Sequence, residues 1–405
     1  MSVPNCYLPP PISHLLGFSA SPRLCGLRPY SLLGRSFLLG AVLALGVSWV
    51  GAATEPIRIG EFSSLTGREA GLGQYTHMGV MLAVEEINAA GGIDGRTLVV
   101  VAEDTQSKAG EAATVVRKLI TRDHVVAIVG EGASGRCLEG APIAQRAGIP
   151  VVSPAATNPK VTEIGDCIFR VCFTDSFQGT VMAKFAHDSL KVRRVGVLSD
   201  VASSYSVGLA GFFRQRSAVD GMEIVGEQKF SGGDKDYRAQ LTALKAAGPD
   251  ALFVPAYYGD AGLILLQARQ LGLTIPVLGG DGFEAPELVQ IAGVAADGAY
   301  FPVHFSTSDT SPRSRGFIER YTQRWQKAPT GVSALGYDAL NLIADAIRRG
   351  KSPDPKAIRV ALAATTAFEG ITGRIAMDSE RNARKPASIV RVEGGQFRFL
   401  QTVAP

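Results

Sequence analysis

From Pro56 onward the chain alternates two hydrophobic patterns. Short β-branched runs closed by Gly, Pro or Asp read as strands, and stretches with apolar positions every three or four residues read as helices. The runs IRIGEF, RTLVVVAED, VVAIV, IPVV and IFRV predict strands at 57–62, 96–104, 125–129, 149–152 and 168–171. Helices are predicted between them, from about Tyr75 to the Gly91-Gly92 stop, over 110–122, and after Gly135. The stretch between the first strand and Tyr75 reads as a polar turn. A second series follows Asp175, with helices over 177–190, 209–218, 237–247 and 262–272 and a short one after Pro286. Its strands fall at 193–200, 222–230, 251–256, 275–282 and 298–303. Three helices (312–326, 333–350, 355–364) and three late strands (373–377, 388–393, 396–402) complete the chain.

Strands apolar on both faces and joined by helices belong in parallel sheets. Two complete strand–helix series predict two doubly wound α/β lobes, and the helix-only stretch from 312 to 364 breaks the eightfold repeat a barrel needs. The late helices have more apolar faces than the second series can cover. The expected course is therefore residues 54–174 and 304–385 for lobe 1 and residues 175–303 and 386–405 for lobe 2, with three crossings between them that act as a hinge.

The densest chemical signal lies at 125–159. Two consecutive strands end in small-residue turns, GEGASG and SPAATNP, which open on the same sheet edge. Each turn is rich in backbone N–H groups and has one hydroxyl positioned to help, Ser134 in the first and Thr157 in the second, so together they suit a carboxylate. Gly130, Gly132 and Gly135 spell the dinucleotide pattern G-x-G-x-x-G, which would make an NAD-linked oxidoreductase. That pattern belongs in a first strand–helix turn with an acid about 20 residues on, and neither condition holds. A nucleophile elbow around Ser134 fails because Arg136 stands where glycine is required. Plainer roles compete at each site: a helix cap for Ser134 and Asp175, a turn residue for Thr157 and Asp281, packing for Tyr257 and Tyr258.

Residues 1–53 lack Asp and Glu, carry Arg23, Arg28 and Arg35, and end in an apolar run from Phe37 to Val50 followed by Gly51-Ala52-Ala53. This is the order of a secretory signal, and the run is shorter than the roughly 20 residues of a membrane span. Export with cleavage near Ala53 is expected. The chain's formal net charge is +4, with 41 basic and 37 acidic residues; removing the leader's three arginines leaves 38 against 37. So even a balance points to neither nucleic acid nor an anionic membrane surface. Cys6 and Cys25 precede the apolar run. Cys137, Cys167 and Cys172 match no zinc spacing and read as buried free thiols, with one disulfide left open; no metal and no cofactor are expected.

The segments IRIGEFSSLTG, AVEEINAAGGIDGRTL, SPAATNP, FRVCFTDSFQG and LGGDGF, in this order, resemble the type I periplasmic binding proteins, in particular the leucine/isoleucine/valine-binding proteins of ABC importers. The resemblance runs from Pro56 to the C-terminus. It implies a periplasmic, monomeric, non-enzymatic protein whose lobes close on one amino acid, branched-chain or similarly apolar, for delivery to membrane permease subunits. A sensor of the same fold, or a binder of amides, urea or aromatic acids, is the alternative. The resemblance implies that Ser134, Ala155, Ala156 and Thr157 hold the α-carboxylate, that Asp281 holds the ammonium, and that Tyr205 with Tyr257 or Tyr258 lines the pocket. Leu72, Gly135 and Asp175 are further candidates. The best-known members carry glutamate where this chain has Asp281, and a cysteine pair where it has Gln106 and Ala133.

Overall fold

The computed structural model describes residues 55–405; the leader expected at 1–53 lies outside the described residues. The first lobe is built on a parallel sheet of five strands, β1 (Ile57–Ser63), β2 (Leu98–Asp104), β3 (Ala127–Gly130), β4 (Val151–Ser153) and β5 (Ile168–Arg170), in the order β2-β1-β3-β4-β5. Helices α1 (Ala70–Ala89), α2 (Glu111–Thr121), α3 (Ser134–Ala147) and the single turn α4 (Lys160–Glu163) connect them. Ile59, Val129 and Val152 face one helical layer, and Phe62, Ile128 and Val151 the other, which is why the strands read as unbroken apolar runs.

The second lobe holds a seven-stranded sheet. Its chain order is α5 (Asp175–Lys184), β6 (Arg194–Asp200), α6 (Ser204–Val219), β7 (Glu223–Phe230), α7 (Arg238–Ala247), β8 (Ala251–Phe253), α8 (Tyr258–Gln270), β9 (Val277–Leu278), α9 (Pro286–Ala292) and β10 (Ala299–Val303). Helices α10 (Pro312–Trp325), α11 (Gly331–Gly350) and α12 (Pro355–Ala363) come next, and α11 packs along α1 in the core of the first lobe. Strands β11 (Phe368–Gly370) and β12 (Gly373–Ile375) form a small antiparallel hairpin. The last strands, β13 (Ala387–Glu393) and β14 (Gln396–Val403), return to the second sheet, whose order is β14-β13-β10-β9-β8-β6-β7.

Several elements differ from the sequence pattern. Helix α1 begins at Ala70 and takes in the last five residues of the predicted polar turn, α6 begins at Ser204, five residues before the predicted start at 209, and α8 begins at Tyr258, four before the predicted start at 262. Of the late strands, 373–375 pairs with the unpredicted β11 and not with either main sheet. Strands β13 and β14 add an antiparallel edge to a sheet expected to be parallel.

The close packing of α1 on α11 has a specific cause. A methyl group at Gly79 would overlap the Ser333 carbonyl, and one at Gly336 would overlap the Thr76 carbonyl. The two glycines meet the opposite backbones and let the helices touch along their length. The first two connections between the lobes also meet. Phe173, after β5, stacks on His304, after β10, with ring centroids 3.7 Å apart. Lys385, just before β13, donates from its buried ammonium to the Val171 carbonyl at 3.3 Å and to the Thr372 hydroxyl. Burial lowers its pKa to about 8, against the opposing pull of Asp338.

Candidate functional site

The carboxyl edge of the first sheet faces the carboxyl edge of the second, and the candidate residues gather where they meet. On the first lobe, Ser134 is the first residue of α3 and is buried. The cap position is Ala133 and makes no side-chain cap, so Ser134 is not spent as one. Its Oγ accepts from the Asn158 backbone N–H at 3.2 Å, which leaves the hydroxyl proton free to donate outward. The first turn of α3 presents its N–H groups beside it, and a methyl group at Gly135 would meet no other atom within 4 Å. Ser153 fixes the second turn by accepting from Ala156 N–H at 3.1 Å and donating to the Glu131 carbonyl at 2.8 Å.

Beneath that turn lies Arg170, fully buried on β5. It donates to the Ala156 carbonyl at 2.7 Å, the Pro159 carbonyl at 3.1 Å and the Thr162 hydroxyl at 3.2 Å. Burial depresses its pKa. The guanidinium thus braces the SPAATNP turn and sets positive charge behind the hydroxyls. Nothing in the pattern of the IFRV strand marks this role in advance.

The second lobe supplies opposite charge. Asp281 sits in a short 3₁₀ turn after β9, where Gly280 and Gly282 leave room for the Tyr205 ring. The Tyr205 hydroxyl accepts from Gly282 N–H at 3.0 Å. Asp281 Oδ1 accepts from Gln178 Nε2 at 3.0 Å, its N–H donates to Gln178 Oε1 at 3.1 Å, and its Oδ2 lies 3.1 Å from His304 Nε2. Burial lowers the His304 pKa, so its neutral ring donates to Asp281. Gln178 and His304 escaped the sequence reading, since their spacing to Asp281 carries no local signal.

Asp175 is not the cap of α5; Thr174 is, accepting from Phe177 N–H. Asp175 is fully buried, and its Oδ1 accepts from Gln178 Nε2 at 2.9 Å. Its Oδ2 and the Thr157 hydroxyl are buried without a well-aligned partner, although the hydroxyl is near enough to favour the ionised carboxylate. Burial, reinforced by the Asp281 carboxylate, pushes Asp175 up to about 7.

The tyrosines divide. Tyr257 stacks on Tyr205 with centroids 5.0 Å apart, and its hydroxyl feels the Ser134 backbone N–H. Tyr258 points to the first lobe, where its hydroxyl accepts from Gly71 N–H at 2.9 Å. Leu72 and Ala155 are buried on the first-lobe wall beside Gly132. The structure thus gathers Ser134, Gly135, Thr157, Asp175, Tyr205, Tyr257 and Asp281 around one cleft, with Tyr258 bridging its rim.

Two cavities, of about 380 and 660 Å³, are lined by Glu284, Thr330 and Phe397 and by His304, Thr372 and Phe399. Each borders one buried atom without a partner, Glu284 Oε2 in the first and His304 Nδ1 in the second, but neither is lined by Ser134, Thr157, Asp175 or Asp281. Among the described residues no group of three or more His, Cys, Asp or Glu is set to hold a metal ion, and Cys137, Cys167 and Cys172 are separate buried thiols. Chemically, the cleft offers N–H and O–H donors on one wall and two carboxylates on the other, the arrangement for a small zwitterion.

A family model described as periplasmic binding protein matches residues 56–396. A leucine-, isoleucine-, valine-, threonine- and alanine-binding protein of Pseudomonas aeruginosa is 31% identical over 349 residues, which cover 85% of this chain and 92% of that one. Among solved structures, a leucine binding protein from Thermotoga maritima is 37% identical with a TM-score of 0.82, covering 86% of this chain and 99% of that one. A branched-chain amino acid transporter substrate binding protein from Streptococcus pneumoniae, in complex with isoleucine, is 37% identical with a TM-score of 0.83, covering 86% and 100%.

Proposed function

The chain belongs to the periplasmic binding protein family, and we propose that it is the solute-binding protein of an ABC importer, taking one amino acid of the branched-chain class into the cleft by hinge closure. The observation that carries this reading is the split of charge across the cleft. Donors at Ser134 and the start of α3, backed by Arg170, suit a carboxylate on the first lobe. Asp175 and Asp281 suit an ammonium on the second. An α-amino acid carries both charges at a fixed separation, so only the closed arrangement satisfies both ends, and ligand stabilises closure through that difference. The work done is binding and release to permease subunits, with no bond made or broken. The affinity expected is near micromolar, about −8 kcal/mol.

The acid in the turn between Gly280 and Gly282 gives the test. Calorimetric titration of wild type and Asp281→Asn with leucine, and with the matching deaminated acid, separates charge from shape. Asparagine keeps the acceptor to Gln178 and tolerates the turn. Loss of an ammonium partner in a buried site costs about 2–5 kcal/mol. Leucine is expected to weaken by that amount while the deaminated acid binds the variant no worse than wild type. Equal leucine binding by both proteins would refute the ammonium role.

A further inference from the structure

Glu69 stands directly before α1 on the first-lobe wall of the cleft and is only 2% exposed. Its N–H donates to the Ser107 hydroxyl at 3.1 Å, and its Oε1 pairs with the Arg68 guanidinium at 3.2 Å. Its second oxygen, Oε2, is buried and has no hydrogen-bond partner. Three residues on, and so on the same face of the first helical turn, lies Leu72, whose Cδ2 is 3.2 Å from the place a side chain would occupy at Gly132. Ala155 is next along that wall. Among the charges acting on the Tyr257 hydroxyl, that of Glu69 is the largest, ahead of Asp281 and Asp175. Leu72 and Ala155 thus stand side by side at Gly132 on this wall, and the Glu69 carboxylate lies near enough to act on the Tyr257 hydroxyl that faces it.

We infer that Glu69 sets side-chain specificity, and that the cleft prefers amino acids whose side chain, of branched-chain size, carries a hydroxyl or amide N–H donor. This rests on the amino-acid reading above. A buried carboxylate oxygen left dry is unfavourable, and Arg68 cannot serve it further because it also faces Asp200 at 4.0 Å and Asp260 at 3.9 Å. An aliphatic side chain would seal Oε2 away from water with nothing to bond. A hydroxyl or amide of the same shape would complete it, and sites built around such a bond discriminate strongly against the analogue that lacks the donor.

Two isosteric pairs test this: valine with threonine, and leucine with asparagine. Affinities of all four are measured by calorimetry on wild type, Glu69→Gln and Glu69→Leu, and each result is read as the ratio within a pair. A ratio cancels any general effect of the substitution on folding or lobe closure, including a loosened Arg68. Wild type is expected to bind the polar member of each pair at least tenfold more tightly. Glu69→Gln, which keeps an acceptor carbonyl, should retain the polar preference, and Glu69→Leu should reverse it. Ratios that Glu69→Leu leaves within twofold of wild type overturn the inference, whichever member wild type prefers. If none of the four binds wild type, the amino-acid reading itself fails and takes this one with it, an outcome distinguishable because no ratio is then obtained.

Discussion

At Asp175 two effects act in the same direction. Desolvation disfavours the charged carboxylate, and the Asp281 charge opposes a second negative charge beside it, so Asp175 titrates near 7 when no cation is present. Arg170 and the Thr157 and Gln178 side chains pull the other way but do not prevail. An ammonium placed between the two carboxylates stabilises the ionised form, so binding below pH 7 must expel the Asp175 proton. Affinity for an amino acid is therefore expected to fall about tenfold per pH unit below 7 and to level off above it. Calorimetry at pH 6 in buffers of different ionisation enthalpy should register close to one proton released. The sign for stability is opposite. Because the folded pKa lies above the unfolded value of 3.8, ligand-free protein loses stability as pH rises from about 4 through 7, and Asp175→Asn should flatten that slope. An affinity constant from pH 5.5 to 8 would remove Asp175 from the ammonium site.

At the scale of elements, the α1–α11 crossing decides how well the first lobe holds together. Gly79→Ala would gain about 1 kcal/mol of helix propensity but drive a methyl group into the Ser333 carbonyl, and backbone cannot step aside as a side chain can. Overpacking of this kind costs about 1–3 kcal/mol. The net expectation is destabilisation in urea unfolding, whereas Gly259→Ala in α8, where an added methyl meets nothing within 4 Å, should be neutral or slightly stabilising. Equal midpoints for the two variants would show that the crossing has room to spare. The same packing explains what the sequence could and could not disclose. Runs such as VVAIV were legible because burial on both faces leaves only apolar residues. The start of α1 was not, because its supports are remote: the Ser107 hydroxyl meets Glu69 N–H, and Gly73 lies under the Ser64 backbone. The start of α6 does carry a local sign, since Ser203 accepts from Ser206 N–H at 3.2 Å, but the apolar spacing places the helix only from 209. Within the cleft, Ser134, Thr157 and Asp281 stood out because each lies in a small-residue turn after a strand. Arg170, Gln178 and His304 did not, since their partners are brought to them only by the fold.

For the whole molecule, the question is what holds the lobes together once they meet. Among the contacts that cross the cleft, Asn158 Nδ2 donates to the Ser204 carbonyl at 2.7 Å, Gly331 N–H donates to Glu284 Oε1 at 2.6 Å, and the loop before α1 docks on the second lobe at the rim. The third is the most adjustable. Arg68 reaches toward Asp200 and Asp260 at 4.0 and 3.9 Å, over Gly232, where any side chain would collide with its guanidinium. Tyr258 ties the same loop through Gly71 N–H and, at 3.4 Å, the Arg68 carbonyl. Separated by water, the open lobes cannot make these bonds, so each favours closure whatever amino acid lies inside. A half-exposed pair at such distances is worth about 1 kcal/mol, or roughly fivefold in an equilibrium constant. Arg68→Met keeps the aliphatic stem and removes the charge. It should raise the dissociation rate of bound amino acid about fivefold, leave the association rate little changed, and abolish most of the salt sensitivity of wild-type affinity. Small-angle scattering at subsaturating ligand should then report a larger mean radius of gyration for the variant than for wild type. The effect should be the same for valine, threonine, leucine and asparagine, in contrast to substitutions at Glu69. Dissociation rates and scattering curves that match wild type would mean that the Arg68 charge does not help to set the closed state.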